Sequence, residues 1–514
     1  MDINLEKRIN ILYLIIIVLF MLVCTINFGA TIYSPYSDIG RELYVPEQIC
    51  NGSVLYKNIL NVYPPLAYIL NSCLTKIAGN NLSTYLFLGL FSSILTIIPI
   101  YFIGRIYTNK HIAFITSLFI CSSCTFFPSI SNWILPYSYG IVYALSGIIW
   151  SFYNLIKFEE TNENKYLYFS SLLAGLSLCF KYEYLAFILV IILMIITKRT
   201  NLRTTLKSIL LFLVFPLLSL IILFIQKCSI SDLITAFNYI ISLTKSQSAN
   251  FFYNFAGIRP DIISFQNNFI YFINQDLRFL FYPITYICAM CLILSLIKKE
   301  YKISLLLFTG LLLSIKSIGG ISLEIYGTYF LPILFIGIIS FIYKNPNKIK
   351  SIILYLVCFC LFINYAINAI RTNEELTKLE TKKGKIKIQR VYKDSTEKII
   401  EYITKNTKEE DKILILPEGT LINYLTERNS ENYLYYLIPP NNDILEKELI
   451  INNLKQKDIN YIIVTNIQYP WYNEKSFITG WGEEYLNIIK EEYKLKEIIG
   501  NNLQFYIYSR DIIK

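Results

Sequence analysis

Only one histidine, His111, occurs in 514 residues, and charged side chains make up 16% of the chain, against roughly 25% in an ordinary soluble protein. So little charge excludes a water-soluble globular fold of this length. The apolar content excludes intrinsic disorder. A single imidazole argues against a zinc site, and no Ser/His/Asp arrangement appears. No glycine-rich phosphate loop and no metal-ligand cluster stands out either. Eleven cysteines are present, but most sit inside apolar runs. The CxxC pairs Cys121/Cys124 and Cys288/Cys291 both fall in such runs, where they read as small core residues rather than ligands. A disulfide scaffold is excluded; only Cys50 and Cys73 share a loop in which they could pair.

What is abundant is hydrophobic sequence. It accounts for 54% of residues, in long runs, which marks a polytopic membrane protein. Apolar stretches lie near residues 9–30, 83–104, 111–127, 137–156, 166–180, 184–197, 206–226, 279–297, 303–316, 325–343 and 351–369. The expectation is a multi-span α-helical membrane protein of about eleven transmembrane helices. The first stretch lacks a small-residue cleavage site and is expected to remain as a signal anchor. Stretches 166–180 and 184–197 read as a hairpin pivoting on Lys181-Tyr182-Glu183.

The net charge of +10 is unevenly placed. Residues 1–370 hold 25 Lys/Arg against 14 Asp/Glu, while residues 371–514 hold 22 against 23. Loop placement explains the basic excess, so nucleic-acid binding is not suggested. With the N-terminus inside, the Lys/Arg clusters near 7–8, 105–110, 157–165, 198–207, 298–302 and 344–350 all face the cytoplasm. The short loops 128–136 and 317–324 on the other side contain no Lys or Arg. The segments 31–82, 227–278 and 371–514 are then extracytoplasmic.

Two units are expected: a membrane domain over 1–370, including the external loop 31–82, and an extracytoplasmic α/β domain over 371–514. In the second, strand patterns run at Lys412–Leu416, Tyr461–Thr465 and 504–508. Helical patterns occupy 395–406, 444–456 and 483–493. The Lys-rich stretch 378–393 reads as the linker. The tail is expected to lid or select an acceptor, or else to be a passive partner-binding module.

In the first external loop, Asp38 and Glu42 are spaced to share one helix face, with Arg41 beside them. Pro64-Pro65 is suited to open a following helix. The runs Asp38-Ile39-Gly40-Arg41-Glu42, Gly52-Ser53-Val54-Leu55-Tyr56-Lys57-Asn58-Ile59 and Tyr63-Pro64-Pro65-Leu66-Ala67-Tyr68 resemble the first external loop of bacterial GT-C glycosyltransferases. The resemblance is to those grouped with the protein O-mannosyltransferases and the lipid A aminoarabinose transferase (family 39-like). Leu173–Lys181, Tyr326–Pro332 and Leu416-Pro417-Glu418-Gly419 add weaker matches, so the similarity spans nearly the whole chain.

That resemblance implies sugar transfer from a polyprenyl-phosphate donor to a lipid, glycan or protein acceptor at the outer face of the cell membrane. It implies that Asp38 is the catalytic base. A hydroxyl attacking an anomeric carbon needs a carboxylate to take its proton, and a departing lipid phosphate needs a cation rather than an acid. The outward-facing cations to test for that role are Lys57, Lys181, Arg259 and Arg278. Each residue has a plainer reading beside this one. Asp38 and Arg41 form a loop ion pair, Glu42 orients Arg41 or caps a helix, and Lys181 reaches from a short helix to the interface. Glu324 faces either a cavity or solvent. Tyr63, Tyr68, Tyr137 and Tyr139 either stack on a sugar or belong to an interfacial belt. No cofactor is implied, with a divalent cation left open; loop 128–136 lacks the acid that a metal site shared between loops would use. A carrier or flippase for lipid-linked saccharides is the alternative, though it should carry ionisable residues near midplane, and these spans hold almost none.

Overall fold

The computed structural model describes residues 3–36, 38–126, 132–255, 281–314, 322–344 and 347–510. Every apolar stretch anticipated above falls on a helix. The first helices in chain order are α1 (Ile3–Phe28), α2 (Ile39–Cys50), α3 (Leu66–Ala78), α4 (Leu82–Tyr107), α5 (Lys110–Ile120), α6 (Tyr139–Thr161), α7 (Asn164–Phe180), α8 (Ile188–Thr197), α9 (Leu202–Ile225), α10 (Ile230–Leu243) and α11 (Gln247–Phe255). Further apolar helices follow at Phe281–Ile297, Tyr301–Leu313, Ser322–Tyr343 and Lys348–Glu374. Among the described residues, five helices, α1, α4 and α9 among them, are long and apolar enough to cross a bilayer unaided. The pivot at Lys181 is real: α7 ends at Phe180 and a 3-10 turn, Tyr182–Phe187, leads into α8.

Asparagine starts several of these helices. Asn81, Asn109, Asn201 and Asn347 each accept a first-turn backbone N–H, which satisfies donors that lipid could not. Small residues then let helices approach. A Cβ on Gly175 in α7 would lie 1.9 Å from the Phe212 carbonyl of α9, the close backbone contact on which membrane helix packing depends. The outer faces stay greasy: Leu217, Leu220, Ile221 and Phe224 of α9 are all exposed, as expected of a lipid-facing surface.

Cys50 and Cys73 are both free thiols. The Cys50 Sγ lies 3.1 Å from the Ser72 carbonyl instead.

The C-terminal region departs from expectation at its start. Residues 378–393 are not a linker. Strands β2 (Leu376–Thr381) and β3 (Gly384–Gln389) form an antiparallel hairpin, and a helix begins at Arg390. Strand β1 (Thr31–Tyr33), directly after the first membrane helix, pairs parallel with β3, giving the order β1-β3-β2. The physical reason is alternation: Ile386 and Ile388 are buried while Lys385 and Lys387 point away.

The anticipated α/β unit follows, with β4 (Lys412–Leu416), β5 (Ile459–Thr465), β6 (Lys494–Ile499) and β7 (Phe505–Ser509) in the order β4-β5-β7-β6. Only β4–β5 is parallel.

This unit is welded to the segment between α1 and α4. Lys383 donates to the Glu47 carboxylate at 3.0 Å and pairs with Glu427 at 3.1 Å. Tyr44 bonds Ser430 at 2.9 Å, and Gln48 donates to Asn429 at 2.7 Å. Helix α2 therefore lies between the membrane bundle and the C-terminal unit, and its N-terminal end is where the site forms.

Candidate active site

A cavity of about 620 Å³ opens where α2, the end of α7, α10, α11 and the C-terminal unit meet. Asp38 takes helical backbone angles just ahead of α2, but its side chain does not cap that helix. It lies against Arg41 instead, with Nη1 donating to Oδ1 at 2.7 Å. Asp38 is 48% exposed, into the cavity, while Arg41 is 11% exposed. Arg41 also donates from Nε and Nη2 to Glu42 Oε1, both at 3.3 Å, and from Nη2 to the Tyr137 carbonyl at 3.1 Å.

Glu42 is buried behind this pair. It accepts from the Tyr68 hydroxyl at 2.6 Å and from the Tyr139 backbone N–H at 2.8 Å. Burial pushes its carboxyl above the usual range, with Arg41, Tyr68 and the Tyr139 amide pulling it back. Its work is to fix Arg41.

Lys181 arrives from the other side of the cavity. The extended backbone at Lys181 ends α7 and turns its side chain inward. The ammonium sits 4.1 Å from the Tyr63 ring centroid and 3.9 Å from Glu183 Oε1. The Arg41 guanidinium lies 4.5 Å from the same ring. Two largely desolvated cations thus share one tyrosine beside a carboxylate, with their positions set by stacking.

Of the residues singled out in the sequence, Asp38, Arg41, Tyr63, Tyr137 and Lys181 line the cavity. Tyr68 and Tyr139 stand behind it as hydrogen-bond supports. Lys57 requires a correction, because it is exposed and its Nζ lies 3.4 Å from the Lys227 carbonyl. The cause is local: Tyr56 adopts φ 69° in a tight turn that closes Leu55 onto Ile59, and Lys57 is carried outward. Arg259 and Arg278 lie outside the described residues. Glu324 begins the helix Ser322–Tyr343, and its side chain also lies outside them.

The sequence reading passed over Glu418, although it quoted the Leu416-Pro417-Glu418-Gly419 run. This carboxyl follows β4 and lines the same cavity as Asp38. Burial, then the Asp38 charge, pushes it up to about 8. Glycine brings the two together: a Cβ on Gly40 would lie 2.5 Å from the Leu421 backbone nitrogen, so α2 and the helix Thr420–Thr426 touch backbone to backbone. Gly40→Val is expected to force them apart, costing about 1–3 kcal/mol and lowering turnover more than it lowers Tm. Thermal unfolding beside a turnover assay checks this.

A family model described as dolichyl-phosphate-mannose-protein mannosyltransferase matches residues 62–224, less than half of the chain. That segment holds Tyr63, Tyr137 and Lys181 but not Asp38 or Glu418. Among solved structures, ArnT from Cupriavidus metallidurans bound to undecaprenyl phosphate superposes with a TM-score of 0.55 at 9% identity, covering 98% of each chain. The Archaeoglobus fulgidus oligosaccharyltransferase in complex with zinc and sulfate gives 0.54 at 10% identity, over 97% of this chain and 73% of that one. The same archaeal enzyme tethered with an acceptor peptide gives 0.54 at 11% identity, over 98% and 74%. The chain has the GT-C fold. No curated protein matches it in sequence. The GT-C architecture and the segment match both agree with the glycosyltransferase expectation, and neither favours the carrier.

Proposed function

We propose that this GT-C protein transfers a sugar from a polyprenyl-phosphate donor to an acceptor hydroxyl, with inversion at the anomeric carbon. One observation carries the reading: a partly exposed carboxylate, Asp38, sits in a cavity beside two fixed cations. The undecaprenyl phosphate bound to the similar ArnT structure supports a polyprenyl phosphate as the lipid part.

Asp38 takes the proton of the acceptor hydroxyl as its oxygen attacks the anomeric carbon. The new carbon–oxygen bond forms while the bond to the phosphate oxygen breaks, and the electron pair leaves with the phosphate. Arg41 and Lys181 balance that growing negative charge, so the reading calls for no resident cofactor. Tyr63 keeps both cations aimed. The Lys/Arg bias of the loops supports an orientation with the N-terminus in the cytoplasm and the cavity and C-terminal domain outside.

Purified protein given a polyprenyl-phosphate sugar and a hydroxyl acceptor should release free polyprenyl phosphate. A carrier would move the lipid without cleaving it, and intact donor after prolonged incubation overturns the proposal. In the same assay Lys181→Met is expected to cost roughly 10- to 100-fold in kcat/KM for the donor, the loss of one charge-assisted contact. An unchanged donor kcat/KM would remove Lys181 from the phosphate site.

A further inference from the structure

Resting on the glycosyl-transfer reading above, we propose that Glu418 is the residue through which the C-terminal domain holds the acceptor. As a neutral acid it donates a hydrogen bond to an acceptor oxygen and turns the attacking hydroxyl toward Asp38.

Position comes first. Glu418 and Asp38 face one cavity from different domains, held together at the Gly40 contact. Both carboxyls therefore border the space that an acceptor hydroxyl must enter to give Asp38 its proton. Around Glu418 the cavity wall is built for a polyhydroxylated guest. Tyr435 lines it, and its buried hydroxyl makes no hydrogen bond among the described residues. The buried Tyr469 hydroxyl completes no bond of ideal geometry either, yet lies close enough to the Glu418 carboxyl to draw it down. Trp471 and Tyr472 continue the same wall, offering flat apolar faces to the C–H side of a sugar ring.

The charges around Glu418 decide its state. Asp38 repels its ionised form and Arg41 favours it, both from α2. Tyr36, from the segment before α2, feels the Glu418 charge in turn. Lys181 and Glu183 face the same cavity from the end of α7. Burial outweighs the favourable contacts, which leaves Glu418 protonated until about pH 8. The division of labour follows: Asp38 receives the acceptor's proton, and Glu418 keeps its own throughout. Ionising Glu418 removes the donor and sets two negative charges across the acceptor.

The acceptor kcat/KM of the wild type is therefore expected to fall as pH rises through about 8, since that ratio reports free-enzyme ionisations. Glu418→Gln keeps a neutral donor and loses the titration. It should be slower than wild type at neutral pH, yet flat through that range. Glu418→Ala should raise the acceptor KM roughly tenfold or more and leave the donor KM in place. Tyr469→Phe removes a group that lowers the Glu418 ionisation, so it should move the alkaline fall to higher pH.

A readout free of turnover accompanies these. Between the carboxyl's ordinary 4.5 and about 8, the folded protein keeps a proton that the unfolded chain has released. Raising pH across that window costs stability, and the cost levels off above it. The Tm gap between Glu418→Gln and wild type should widen across the window in favour of the variant, then stay constant. An alkaline fall that persists unchanged in Glu418→Gln, or a Tm gap independent of pH, overturns this inference alone. A wild type that never cleaves a polyprenyl-phosphate sugar overturns it together with the proposed function.

Discussion

Asp38→Asn is expected to abolish sugar transfer, lowering kcat by roughly 10²- to 10⁴-fold, the usual worth of a positioned base. Asparagine matches the shape of aspartate and still offers an oxygen to Arg41 Nη1, so the 2.7 Å contact survives as a neutral hydrogen bond. What disappears is the capacity to take a proton. Donor binding should persist, because Arg41 and Lys181 keep their partners in Glu42 and Tyr63. Release of polyprenyl phosphate measures the loss, and binding of a non-cleavable donor analogue measures what remains. Normal turnover in this variant would move the base elsewhere.

Arg41→Met should have the largest effect on folding. The guanidinium is nearly buried and meets Asp38, Glu42 and the Tyr137 carbonyl together. Removing it strands Glu42, whose side chain is 1% exposed. Breaking a buried pair from one side costs about 3–5 kcal/mol. Burial already holds the Glu42 carboxyl above its usual range, and without Arg41 that carboxyl should rise further and take a proton. The variant should therefore regain part of its lost Tm as pH falls, since a protonated Glu42 no longer needs a counter-charge. A Tm deficit equal at neutral and acid pH would contradict this account of Glu42. Activity should be lost in either case, because Asp38 and the donor phosphate both lose their neighbour.

Much of the fold was legible because its signal is local. A run such as Leu202–Ile225 can only be a helix in lipid, and each asparagine cap announces itself within three residues. The i, i+3 and i, i+4 relations among Asp38, Arg41 and Glu42 place them together with no tertiary knowledge. The Lys-rich stretch was misread because composition masked pattern. Gly384-Lys385-Ile386-Lys387-Ile388-Gln389 alternates with period two, as a half-buried strand does, but its lysines suggested a solvated connector. Lys57 failed for the opposite reason: its surroundings matched a motif, and one left-handed residue, Tyr56, decided where it points. Glu418 was hidden by separation. Nothing within 300 residues of it hints at Asp38, and the two line one cavity where Gly40 and Leu421 touch.

The parallel pairing of β1 with β3 has a consequence for biosynthesis. Its two partners leave the ribosome more than 350 residues apart, with every described apolar helix of the bundle after α1 made in between. The nascent protein therefore carries an unfinished sheet until translation has nearly ended, with Asp38 only five residues past an unpaired strand. Closing that sheet ties the segment ahead of α2 to the C-terminal region, from which Glu418 joins the cavity lining. A polypeptide interrupted before residue 384 has no middle strand for β1 to pair with, so the segment that leads into Asp38 lacks that anchor until the chain is nearly complete.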